Sequence, residues 1–283
     1  MTKMTAFLKK LLGSPELNLD TSGFTLEGDA KFSLGTRPGK LLGLYDRQAV
    51  EDLFGSLGIS AMLEKMGFGR LKYVVDLKNY LDQRVMIYWQ QATRDHLLVE
   101  IRLGLQADAD SLRVQVAGRG YRFLLVHWLC MQNPRQDLDS AKRVLPGQDY
   151  GGLPVGYILL EVLSRMAKEL GLDGLLGYPE YYHNAYLYAR FFYFIHTDKQ
   201  GEFLGLLRDL CLYPIDKISR EIENQHVFSR GAKAPFVWKA AEQVMPLHAD
   251  LEKYFQSPAY VNAVMAAMAQ KEFYLKHHDP KNR

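Results

Sequence analysis

From residue 71 the chain changes register from helical to alternating. Segments 71–76, 84–89, 97–103 and 112–116 are short, β-branched or aromatic at every other position, and separated by polar turns, which predicts an antiparallel run of strands. The next segment, 121–131 (YRFLLVHWLCM), is almost continuously apolar and predicts a strand buried on both faces near the sheet centre. Ahead of these strands, Asp46 can cap a helix that places Ala49, Val50, Leu53 and Phe54 on one face, with Gly58 near its end; a second short helix, 60–66, stops at Gly67. Behind them, Ile158, Val162, Met166 and Leu170 recur every fourth residue, widened by Leu159 and Leu163, so 157–170 predicts a strong amphipathic helix closed by Gly171. A strand at 172–178 ended by Pro179, a helix from Glu180 through Arg190 and an aromatic strand at 191–195 complete the order expected of parallel α/β pairing. The aromatic density of 178–194 reads as helix and strand packing into a core. Beyond Lys199 the pattern turns helical, at 202–211, 215–222, 238–244, 247–255 and 260–274.

These elements imply an α/β fold, with a mixed sheet of α+β character, divided into an N-terminal arm (1–42), an α/β domain (43–199) and a helical C-terminal appendage (200–283). The arm is loop-like because 14–42 is rich in Gly, Ser, Thr and Asp and contains Gly35-Thr36-Arg37-Pro38-Gly39. Composition agrees with a folding chain: 48% hydrophobic and 24% charged residues is the ordinary globular balance. A net charge of +3 gives no field strong enough to favour nucleic acid. The basic residues Lys9, Lys10 and the tail Lys276, His277, His278, Lys281 and Arg283 read as solvated terminal charge. Cys130 and Cys211 stand far apart in apolar contexts, which fits neither a disulfide framework nor a zinc ribbon and suits a reducing, cytoplasmic setting. The first 12 residues lack a long apolar region, and no stretch reaches the ~18 to 20 apolar residues that span a bilayer, so no membrane association is expected. No metal spacing, Walker loop, dinucleotide fingerprint or nucleophile elbow occurs, and no metal is expected.

Chemistry is concentrated at Asp149-Tyr150-Gly151-Gly152-Leu153-Pro154-Val155-Gly156, a glycine-rich turn opening the 157–170 helix. Glycines let main chain approach an anion, and the free N–H groups at a helix start carry about half a positive charge. This turn and its helix resemble the pyrophosphate loop of the GNAT superfamily of N-acetyltransferases: Tyr150, Gly152, Val155, Gly156, Leu159, Leu160 and Leu163 match the family pattern. Gly151 stands where the family has Arg or Gln, and Pro154, which has no N–H, stands where it has a glycine. A second match follows: 172–177 resembles the next strand of the family, and His183-Asn184-Ala185-Tyr186-Leu187-Tyr188 its last helix, although Phe192-Tyr193 replaces the usual Gly-Phe ending.

The resemblance covers about 71–195 and implies a GNAT-like acyl-CoA N-acyltransferase fold. It implies acetyl-CoA or another acyl-CoA as co-substrate, held by Tyr150, Gly151, Gly152, Leu153, Val155 and Gly156 and by the backbone of Leu129, Cys130 and Met131. Acyl transfer would go by direct attack of a small-molecule or peptide amine, with Tyr188 as acid for the leaving thiolate and His183 and Asn184 beside it. Glu100 on an alternating strand and His127 in an apolar one are further base candidates, more ordinary as an outward polar residue and a core histidine. A homodimer is kept open. The alternative is a GNAT-like module that has lost catalysis and serves binding or regulation, motivated by Pro154 and Gly151.

Overall fold

The computed structural model describes residues 39–106, 120–136 and 145–276. The expected strand at 112–116 and nearly all of the expected arm lie outside them. Among the described residues the protein is mixed α/β, with eight helices and an eight-stranded mixed sheet.

Two helices lead in, α1 (Arg47–Ser56) and α2 (Ile59–Lys65). Asp46 caps α1 as its sequence position suggests, its carboxylate accepting the Ala49 N–H at 2.9 Å. Strands β1 (Leu71–Asp76), β2 (Gln83–Trp89), β3 (Leu97–Gln106) and β4 (Phe123–Asn133) then pair antiparallel in chain order. A two-residue strand β5 (Gly151–Gly152) pairs with the end of β4 and leads into α3 (Gly156–Glu169). Strand β6 (Gly174–Gly177) returns parallel to β4, Phe123 opposite Gly174 through Val126 opposite Gly177. Then come α4 (Tyr182–Tyr188), β7 (Tyr193–Phe194), α5 (Thr197–Leu210) and α6 (Ile215–Glu223). The last described elements are β8 (Val227–Ser229), β9 (Gln243–Pro246), α7 (Ala249–Gln256), α8 (Pro258–Ala269) and β10 (Phe273–Leu275), β8 and β10 forming a separate antiparallel pair.

Three expectations are corrected. Residues 238–244 do not form a helix: β9 enters the sheet between β6 and β7, antiparallel to both, in the order β1-β2-β3-β4-β6-β9-β7. The C-terminal segment is therefore not a purely helical appendage, and β6 and β7 run the same way without touching. The cause is burial on both faces. Val244 joins one hydrophobic cluster and Met245 the other, which a strand achieves with neighbouring residues and a helix does not. Gly174 makes room, since a Cβ there would lie 2.5 Å from the Met245 carbonyl. The expected 260–274 helix also stops at Ala269, its last residues becoming β10.

The third correction concerns β4. Phe123 and Leu124 are buried, but His127 and Trp128 are exposed. Arg102 of β3 faces Trp128 while Leu103 faces Val126, so His127 is one extra residue, a β-bulge. Phe123 and Leu125 pack with the helices of the C-terminal third, whereas Leu124, Val126, Leu129 and Met131 pack with α1, α2 and α3. The bulge keeps Leu129 and Met131 on that second side and leaves Trp128 and Cys130 on the first. There, beyond Leu125, β4 carries Trp128 with 41% of its surface exposed.

Candidate functional site

Above Val126 and Gly177 the parallel pair separates. β6 ends at Gly177, while β4 continues to Asn133 and meets β5 only at Gln132 and Asn133. Between Val126 and Gln132 that edge of β4 has no strand partner among the described residues. Met131 turns its carbonyl toward this edge, accepting the Leu153 N–H at 3.3 Å. Strand alternation therefore directs the N–H and C=O of Leu129 into the same gap.

The gap opens at the carboxyl ends of β4 and β6, where α/β folds place ligands. Its far wall is the start of α3. The helix begins beside Val155 without a side-chain cap, and its first backbone bond is Leu159 N–H to Val155 C=O, 3.0 Å. The N–H groups of Val155, Gly156, Tyr157 and Ile158 have no partner among the described residues, which leaves the positive end of a 14-residue helix open. Gly156 stands next to Met131 and Tyr188: a Cβ there would make ordinary contact with Met131 Cε at 3.4 Å and with the Tyr188 hydroxyl at 3.6 Å. Thus Leu129, Met131, Gly156 and Tyr188 converge on one gap, from three elements distant in sequence.

The rest of the glycine-rich turn is committed inward. Gly151 and Gly152 ladder against β4, the Leu153 N–H is bonded, and Pro154 has none to give. At Gly151 the end of the exposed Gln136 side chain occupies the space a Cβ would need, so a larger residue there would have to displace it. Tyr150 and Asp149 lie beyond the strand, Asp149 3.2 Å from Arg94 in an exposed ion pair.

The proposed reactive residues divide between the two sides of α4. Burial pushes the Tyr188 phenol up to about 12, with neighbouring Tyr157 adding to it, so it is protonated at neutral pH. His183 points elsewhere: it is buried, Nδ1 lies 2.8 Å from the Ser219 hydroxyl on α6, and its ring stacks on Tyr181. Burial pushes His183 down to about 4. The structure does not bring it to Tyr188; it is a core histidine. Asn184 is half-buried, its N–H bonded to the Tyr181 carbonyl at 3.1 Å. Burial, and then Glu100 and Asp149, pushes the Cys130 thiol up to about 11, which makes it a poor nucleophile. Glu100 stands opposite Cys130 on β3, 3.8 Å from Arg84, and His127 Nε2 lies 2.9 Å from the Leu81 carbonyl.

Sequence reading missed a grouping at the same end of the sheet. Tyr178, expected in the core, is 45% exposed, and its hydroxyl lies 3.3 Å from Glu242, which in turn lies 3.5 Å from His196. No local pattern joins them, because contact requires β9 to sit between β6 and β7.

Fold and gap together define a mixed α/β protein with an open, helix-capped separation between two parallel strands. No family model, curated protein or solved structure matches the chain. No helix among the described residues is long and apolar enough to cross a membrane, and none of their His, Cys, Asp and Glu side chains form a group of three or more able to hold a metal ion.

Proposed function

We propose that the chain is an acyl-CoA-dependent N-acyltransferase with the β4–β6 gap as its site. One observation carries this reading: β4 has a free edge at Leu129 next to Met131, whose side chain meets the uncapped start of α3 at Gly156, where the Tyr188 hydroxyl also lies. An extended amide-bearing arm could add to the strand edge as a further strand does, while a diphosphate takes the N–H groups of Val155 to Ile158. Gly151, Gly152 and Leu153 would act by shaping that loop through their pairing with β4 and the Met131 carbonyl, and Tyr150 by leading into it. Cys130 and Met131 would frame the arm through backbone and packing.

In the reaction the amine, neutral after loss of a proton to solvent, attacks the thioester carbonyl; the C–N bond forms, the C–S bond breaks, the thiolate leaves, and the nitrogen gives up its remaining extra proton to solvent. Magnitudes fix the role of Tyr188. A phenol near 12 facing a thiol near ~8.5 would transfer its proton uphill by ~3 to 4 pKa units, about 5 kcal/mol. Tyr188 therefore serves as a hydrogen-bond donor to the developing thiolate, and the proton arrives from solvent. His183, bonded to Ser219, takes no part, and Asn184 helps only through the turn that starts α4.

A second reading, a GNAT-like binding or regulatory module without catalysis, is favoured by the Leu153 N–H bonded to Met131 and by Pro154. Calorimetric unfolding with acetyl-CoA separates the two. At about 100 times its dissociation constant the coenzyme should add about 2.7 kcal/mol of stability. No shift at millimolar acetyl-CoA, together with a shift appearing in Pro154→Gly, would overturn the first reading in favour of the second.

A further inference from the structure

Tyr178 is the first residue past β6 and Glu242 the last before β9, and the pairing of Gly177 with Gln243 sets them across from one another. The Ile195 N–H bonds the Glu242 carbonyl at 3.1 Å, which brings His196 to the same place. The Tyr178 hydroxyl donates to Glu242 Oε1 at 3.3 Å, and His196 Nε2 lies 3.5 Å from Oε2. Only 15% of the Glu242 side chain is exposed, against 69% for His196.

Of the other well-covered carboxylates, Asp173 accepts the Arg122 N–H, and four face a permanent cation. Asp82 has Arg102, Glu202 has Lys199 and Lys271, Asp209 has Arg208, and Asp216 has Arg220. Glu242 has no Lys or Arg partner among the described residues. A largely desolvated carboxylate without a fixed cation favours a mobile one. The position lies close to the gap, since Tyr178 directly follows β6, the strand that borders it, and Glu242 directly precedes β9 on the other side of β6. The exposed ring of Tyr178 adds a face attractive to cations.

We propose that Glu242, flanked by Tyr178 and His196, binds the ammonium group of the acceptor, which assigns the acceptor to cationic primary amines. The proposal rests on the acyl-transfer reading for its purpose, but its test does not need the coenzyme. Titration calorimetry of the full chain with putrescine, tyramine and triglycine, and with neutral 1,4-butanediol as control, measures the site directly. At least one amine is expected to bind while the diol does not, and Glu242→Gln, which keeps the shape and the Tyr178 hydrogen bond, should weaken that amine at least tenfold. His196→Ala, at an exposed position, should weaken it less. Absence of binding by all three amines, or equal binding by Glu242→Gln with unchanged thermal unfolding, overturns the proposal. Acetyl-CoA affinity of Glu242→Gln should equal that of the parent chain. A parent that binds an amine but no acetyl-CoA would leave this site standing and reject acyl transfer.

Discussion

At the scale of single residues, burial decides what each titratable group can do. Tyr188 and His183 lie five positions apart around one short helix, and the two carry opposite consequences. The phenol stays protonated and reaches the start of α3 at Gly156; the imidazole stays neutral and faces Ser219. For His183 the folded value, about 4, lies below the unfolded one, about 6.5, so the unfolded chain takes up the proton first as pH falls. Its contribution is fully present above pH ~6.5 and is lost toward pH ~4, by on the order of 3 kcal/mol. Urea unfolding of the parent and of His183→Gln across that window should show a variant that is weaker at neutral pH and flatter below it. Parallel curves would remove His183 as the origin of the acid sensitivity.

At the scale of elements, packing repeatedly overrides local preference. Gly201 sits inside α5, where alanine would ordinarily gain about 1 kcal/mol. Here a Cβ would lie 2.6 Å from Ala267 Cβ and 2.7 Å from the Met268 nitrogen, so α5 and α8 would have to part. Gly201→Ala should therefore destabilise the protein by about 1 to 3 kcal/mol, read from the midpoint of thermal unfolding. A stabilised variant would show that the two helices can separate at little cost. The same competition explains which elements were legible in sequence. The Asp46 cap, the stripe of α3 and its Gly171 stop are local signals, and the helices follow them. Trp238, Ala241 and Val244 also recur at helical spacing, yet β9 forms because its neighbours on both edges and both faces exist only in the folded sheet. The glycine-rich turn was legible as a turn that opens a helix. That its first half ladders against β4, leaving the helix start alone free, depends on a register no local pattern contains.

At the scale of the molecule, the sheet ties its two ends together. The cluster under α1, α2 and α3 is built largely from residues before Lys199, whereas the opposite cluster draws on α5, α6, α7 and α8. Strand β9 is shared, and β7 pairs with nothing else in the sheet. A chain ending at Lys199 would leave β7 without a partner and Phe123, Leu176 and Phe194 without their cover. Such a fragment should show no cooperative transition in scanning calorimetry; a sharp one would mean that the first 199 residues form an independent domain. The site inherits this dependence, since Tyr178 belongs to one side of the division and Glu242 to the other.

The supernumerary residue at His127 sets a rule for how this chain can vary. Because His127 has no opposite number on β3 between Val126 and Trp128, a chain lacking it would pass from Val126 to Trp128 in plain alternation and keep Leu129 and Met131 toward α3, whereas one more residue above it would send them to the opposite surface and turn Trp128 and Cys130 toward α3. The upper half of the strand is thus open to the loss of that single residue but closed to the gain of another.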